Sequence, residues 1–107
     1  MRVITKAAVA AFMAGRSYNG GNTVVYDDGT HWVLALFGHE IARRSPVGIE
    51  VTTAGWNTTT TRERLNGIPG VRCWNAKREL HLNGAPWSGQ WTVVVLAGVG
   101  SVERRAA

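Results

Sequence analysis

A chain of 107 residues with 45% hydrophobic content can bury one self-sufficient core and is too apolar for a disordered segment. Its single cysteine, Cys73, excludes an intrachain disulfide, and no run approaches the roughly 20 apolar residues of a membrane span. The formal charge of +5, from ten arginines and two lysines against seven acids, is compatible with a nucleic-acid partner and equally with a solvated basic surface.

The N-terminal stretch Met1-Arg2-Val3-Ile4-Thr5-Lys6 leads into a short alanine-rich run without the longer apolar core and cleavage site of a signal peptide. The expected location is therefore cytoplasmic, with no membrane partner. Residues 5 to 14 are predicted as a helix, with Thr5 as N-cap and Ile4 stapled on Val9. Val9, Phe12 and Met13 form its apolar stripe, and Gly15 suits the left-handed position that ends it.

A run of strands follows the loop 16–21. Asn22 to Asp27 is the first, and Asp28-Gly29 reads as a two-residue hairpin turn that pairs Val25 with Trp32. Residues 31–37 are apolar on both faces, as in a central strand. Gly38-His39 reads as the next turn, placing Leu36 opposite Ile41 and Ala35 opposite Ala42. That strand ends at Arg43-Arg44, and Ile49 to Thr53 is a fourth, rich in β-branched residues.

Thr60-Thr61-Arg62-Glu63 matches a capping box for a second, short helix, with Asn57 or Thr58 as an earlier cap and Gly67 as the stop. In the last third, Asn75–Arg78 reads as a four-residue loop that pairs Cys73 with Leu80 and Val71 with Leu82. One face of that hairpin is then apolar, and the other carries Arg72, Trp74, Lys77, Arg78 and His81. Gln90 to Leu96 is a buried strand, and residues 97–107 are expected to fray. The predicted fold is α+β. One domain spans 1–96, with a strongly curved antiparallel sheet of about seven strands in the order α-β-β-β-β-α-β-β-β, packed on the N-terminal helix.

Enzyme chemistry finds little support. His31, His39 and His81 lack metal-ligand spacing, so neither a metal nor another cofactor is expected. Cys73 faces away from His81 in the predicted register and lacks the nearby base a nucleophile needs. No phosphate-binding glycine loop follows a strand. A hydrolase therefore has no constructible site, and the protein is expected not to be an enzyme.

Binding features are richer. Trp56, Thr60, Thr61, Arg62 and Arg64 cluster at the start of the second helix, where hydroxyls and arginines suit either an anion or the capping of the helix itself. Arg62 and Arg64 lie about 200° apart around a helix, so they do not face one ligand together. Arg72, Trp74 and Arg78 interleave aromatic and cationic groups on a sheet face, a pattern that fits both stacked bases and a protein hot spot.

The motifs Gly21-Asn22-Thr23, Ala54-Gly55-Trp56-Asn57-Thr58, Thr60-Thr61-Arg62-Glu63-Arg64-Leu65-Asn66 and Leu82-Asn83-Gly84 resemble a family of small uncharacterised proteins from bacteriophages and integrated prophage elements. The resemblance runs from about residue 3 to residue 96, and the extension beyond Leu96 departs from it. It implies context and no catalytic residue. Small basic phage proteins of this type commonly bind nucleic acid or a host nucleoprotein complex, or block a host protein in the manner of anti-defence and anti-CRISPR factors.

Overall fold

A computed structural model describes residues 1–96. The tail for which fraying was expected, residues 97–107, lies outside the described residues. Helix α1 spans Val3–Ala14 and begins before Thr5, with no side-chain cap from Arg2. Thr5 is fully buried inside the first turn, because the second helix uses its hydroxyl. The buried stripe is Thr5, Ala8, Val9, Ala11 and Phe12, whereas Met13 points outward. Gly15 ends the helix at φ 74°, as predicted, with its N–H on Ala11. Arg44 Nε donates to the Phe12 carbonyl at 3.0 Å and satisfies one of the last open acceptors.

Among the described residues, nine strands form two antiparallel sheets. The larger contains β1 (Tyr18–Asn19), β2 (Thr23–Asp27), β3 (Trp32–Leu36), β4 (His39–Ser45) and β5 (Gly48–Val51), in that order, with β9 (Thr92–Leu96) beside β5. The smaller contains β6 (Cys73–Ala76), β7 (Glu79–Leu82) and β8 (Ala85–Pro86). Helix α2, Thr59–Leu65, lies between β5 and β6 and leans on α1, β4 and β6. The α+β class is as expected, but the sheet is not strongly curled. Only β9 extends it. The 73–86 segment pairs with itself and turns Val71, Cys73, Leu80 and Leu82 into the same core as Leu65 and Ile68.

Three turns differ from their predicted form. Asp27 Oδ1 accepts the Gly29 N–H, and Asp28 Oδ1 accepts those of Thr30 and His31. These side-chain bonds favour a four-residue loop over a two-residue turn. Val25 consequently pairs with Leu34, two positions from the expected Trp32. The next turn is Phe37-Gly38, with φ 52° and 81°, in place of Gly38-His39. Leu36 therefore faces His39, and after a bulge between Leu34 and Ala35 it is Leu34, not the expected Ala35, that lies opposite Ala42. In the small sheet Lys77-Arg78 turns tightly, with φ 52° and 66°, so Cys73 pairs with Leu82 and Trp74 with His81. In the first and last of these hairpins the shift is even, so the inward and outward faces are unchanged.

Strand β3 sits third of six, and both of its faces are buried, as its apolar run implied. Gly67 follows α2 where a Cβ would come within 2.7 Å of Thr5 Cγ2 and 2.9 Å of Val9 Cγ2. Its small size lets the end of α2 approach α1. It does not stop the helix, which ends at Leu65 with Asn66 as cap.

Candidate functional site

Two neighbouring surfaces meet at α2. Thr58, not Thr60, caps this helix: its Oγ1 accepts the Thr61 N–H at 3.1 Å and contacts the Thr61 hydroxyl at 3.0 Å. Thr61 is therefore buried behind the cap, while Thr60 is half-buried. Glu63 does not reach back as a capping box requires. It accepts from Thr5, the Arg2 N–H and Arg64.

Arg64 is not offered to a partner. Only 1% of it is exposed, and its guanidinium binds Thr23, Thr5 and Glu63. Arg62 lies on the outside. Its Nη1 donates to Asn57 Oδ1 at 2.5 Å, and its Nη2 reaches Thr59 Oγ1 at 3.4 Å. Asn57 Nδ2 in turn donates to Asn75 Oδ1 at 3.1 Å. This bond ties the loop carrying Trp56 to the strand carrying Trp74.

On one side of that tie, Trp56 tilts against His39, with ring centroids 5.7 Å apart and planes at 37°. With Phe37 they wall a cavity of about 460 Å³, floored by Leu36 and Ile41 and rimmed by Thr60. Phe37 is 67% exposed and Trp56 55% exposed. Neither Phe37 nor His39 was among the predicted site residues. The signal was available: a bulky aromatic beside Gly38 in a tight turn has nowhere to bury its ring.

On the other side, Trp74 stacks on its cross-strand partner His81, with centroids 5.6 Å apart and planes only 9° from parallel. Trp74 forms a wall shared by two shallow depressions, one containing Arg62 and the other Arg72. Arg72 is exposed, as are Lys77 and Arg78 at the hairpin turn. Glu79 Oε1 lies 3.4 Å from His81 Nε2 and contributes opposite charge at the far edge.

Directly beneath, Cys73 is 2% exposed, and burial pushes its thiol up to about 11 despite the nearby Arg62. It is a core residue. Among the described residues no three His, Cys, Asp or Glu side chains converge as a metal site would require, and no helix is long and apolar enough to cross a membrane.

The fold thus divides the predicted site residues into three groups. Trp56 and Thr60 border the cavity with Thr61 behind them, Arg62, Arg72, Trp74 and Arg78 share the hairpin side, and Arg64 is withdrawn into the core. No curated protein and no solved structure matches the chain. The family model described as Kyanoviridae Gp96 protein matches residues 1–96, so the chain belongs to this bacteriophage protein family.

Proposed function

We propose that this phage protein is a non-enzymatic accessory factor of the host cytoplasm that binds single-stranded nucleic acid, free or within a nucleoprotein. The observation that carries this reading is the flat Trp74–His81 stack with Arg62 and Arg72 in the depressions on either side of Trp74. Stacking on an exposed aromatic ring is open to every base, and flanking arginines neutralise the phosphates between successive bases. The exposed Lys77 and Arg78 extend the positive charge along the hairpin.

Fluorescence anisotropy of a labelled single-stranded oligonucleotide across a salt series tests this directly. Affinity falls steeply with salt as counterions are released. Affinity that does not change between low and physiological salt overturns the proposal. The competing reading is a blocking factor docked on a host protein, since Trp and Arg also dominate protein hot spots. A pull-down from host lysate after nuclease treatment separates the two: a stoichiometric protein that survives the treatment favours the blocking factor.

A further inference from the structure

We infer that the cavity walled by Phe37, His39 and Trp56 takes one unstacked base of the bound strand and gives the protein a base preference. The inference rests on the nucleic-acid reading above and deepens it, because the Trp74 surface alone is indifferent to sequence.

The chemistry of the walls selects the occupant. No Lys, Arg, Asp or Glu lines the cavity, so a phosphate finds no fixed cation there. Arg62 stands outside it and is held by Asn57 and Thr59. A base has the complementary character, with apolar faces and a polar edge. Phe37, Trp56, Leu36 and Ile41 supply the apolar surface. The Thr60 hydroxyl, the His39 ring nitrogens and the Trp56 indole N–H have no hydrogen-bond partner among the described residues, so they remain available to a base edge. An aliphatic side chain of a protein partner would leave all three unused.

The tilt of Trp56 against His39, at 5.7 Å, leaves no gap for insertion between them, so the base stacks against one ring, opposite Phe37. A volume of about 460 Å³ is within the range of cavities that enclose small organic groups. Two further observations favour a strand as the source of that group. The chain carries a net charge of +5, complementary to a polyanion. The Asn57–Asn75 bond also ties the loop that carries Trp56 to the strand that carries Trp74.

The test uses four labelled single-stranded homo-oligomers, one per base, against the wild-type protein and the Phe37→Ala, Trp56→Ala and Trp74→Ala variants, each checked for folding by circular dichroism. The wild type is expected to separate its best from its poorest oligomer by about tenfold. Phe37→Ala and Trp56→Ala narrow that ratio to about twofold while salt-dependent binding persists, and Trp74→Ala weakens all four alike. Equal binding of the four by the wild type, or a preference that survives both cavity substitutions, overturns the inference and leaves the nucleic-acid reading standing.

If no oligomer binds, that reading falls. Free nucleosides titrated against ¹⁵N-labelled protein then decide the cavity separately: shifts at the Trp56 indole and Thr60 amide support it, and their absence overturns it. A host protein captured after nuclease treatment by the wild type, and lost with Phe37→Ala, also overturns the inference by assigning the cavity to a protein side chain.

Discussion

Arg64 Nε donates to Thr23 Oγ1 at 3.0 Å across 41 residues of sequence, and both residues are buried. The same guanidinium donates to Thr5 Oγ1 at 2.9 Å and pairs with Glu63. One side chain thereby connects α1, β2 and α2. A buried charge is tolerated only when it is paired and hydrogen-bonded, and removing one partner strands the rest. Arg64→Ala should lower stability by about 3–5 kcal/mol, much of what a domain of this size possesses. Arg64→Lys keeps the charge but loses the planar fork, so a smaller loss is expected. Urea denaturation measures both, and a loss below about 1 kcal/mol for Arg64→Ala would reduce the contact to the rank of a surface pair.

The same cluster sets an acid limit. Burial by itself raises the Glu63 carboxyl, but hydrogen bonds from Thr5, the Arg2 N–H and Arg64 outweigh it, and the net shift is below the ordinary value of 4.5. A folded-state pKa below the unfolded one contributes stability that is present above pH 4.5 and lost as pH falls through the folded value. Asp28 is depressed in the same direction by the His31 and Thr30 N–H groups. The thermal midpoint should therefore decline on acidification from about pH 6 to pH 3, and Glu63→Gln should flatten part of that decline. An unchanged slope in the variant would assign the acid sensitivity to other carboxylates.

Cys73 should be inert in the native protein. Its thiol is buried, is raised to about 11 and contacts the Arg62 carbonyl at 3.8 Å, so little reactive thiolate forms at neutral pH. An aromatic disulfide reagent at neutral pH should react only as the protein unfolds, and the rate should rise with urea. Rapid reaction without denaturant would show that the hairpin opens locally.

What was legible in the chain follows from the period of a strand. Alternation fixed which side of the last hairpin held Cys73 and which held Trp74, because a register error of two residues leaves the faces intact. It did not fix turn length. That was decided by the Asp27 and Asp28 carboxylates, which bind backbone N–H groups beyond the Asp-Gly pair, and by the positive φ that Lys77 and Arg78 adopt without a glycine. The fate of Arg64 was illegible for a different reason. Nothing local distinguishes it from Arg62; only Thr5, Thr23 and Glu63, brought together by the fold, explain its burial. The cavity is a tertiary product as well, since Phe37 and His39 meet Trp56 only when β4 and the loop before α2 are side by side.

Phe37 occupies a turn position at φ 52° where asparagine or glycine is usual, and its N–H is fixed on the Asn22 carbonyl at 2.7 Å. A bulky residue held there stores strain of about 1–2 kcal/mol. Phe37→Asn relieves that strain and exposes less apolar surface. The thermal midpoint should rise by about 4–8 °C per kcal/mol recovered, while any ligand of the cavity binds less well. A variant that is less stable than the wild type would show that the exposed ring packs on Trp56 and His39 strongly enough to offset its own strain.

Trp74 and Arg72 should separate in their effects on nucleic-acid binding. A stacked base contributes about 1–3 kcal/mol, so Trp74→Ala should weaken binding of any single strand by a factor between about 5 and about 150. Stacking releases no counterions, so the dependence on salt should keep its slope. Arg72→Gln removes a phosphate contact and should lower that slope by about one unit, with a loss of affinity that is largest at low salt. Because Arg72 is exposed and its side chain forms no salt bridge among the described residues, the substitution should leave the urea midpoint unchanged. Both experiments read the same titration, and a Trp74→Ala variant that binds as tightly as the wild type would remove the hairpin from the interface.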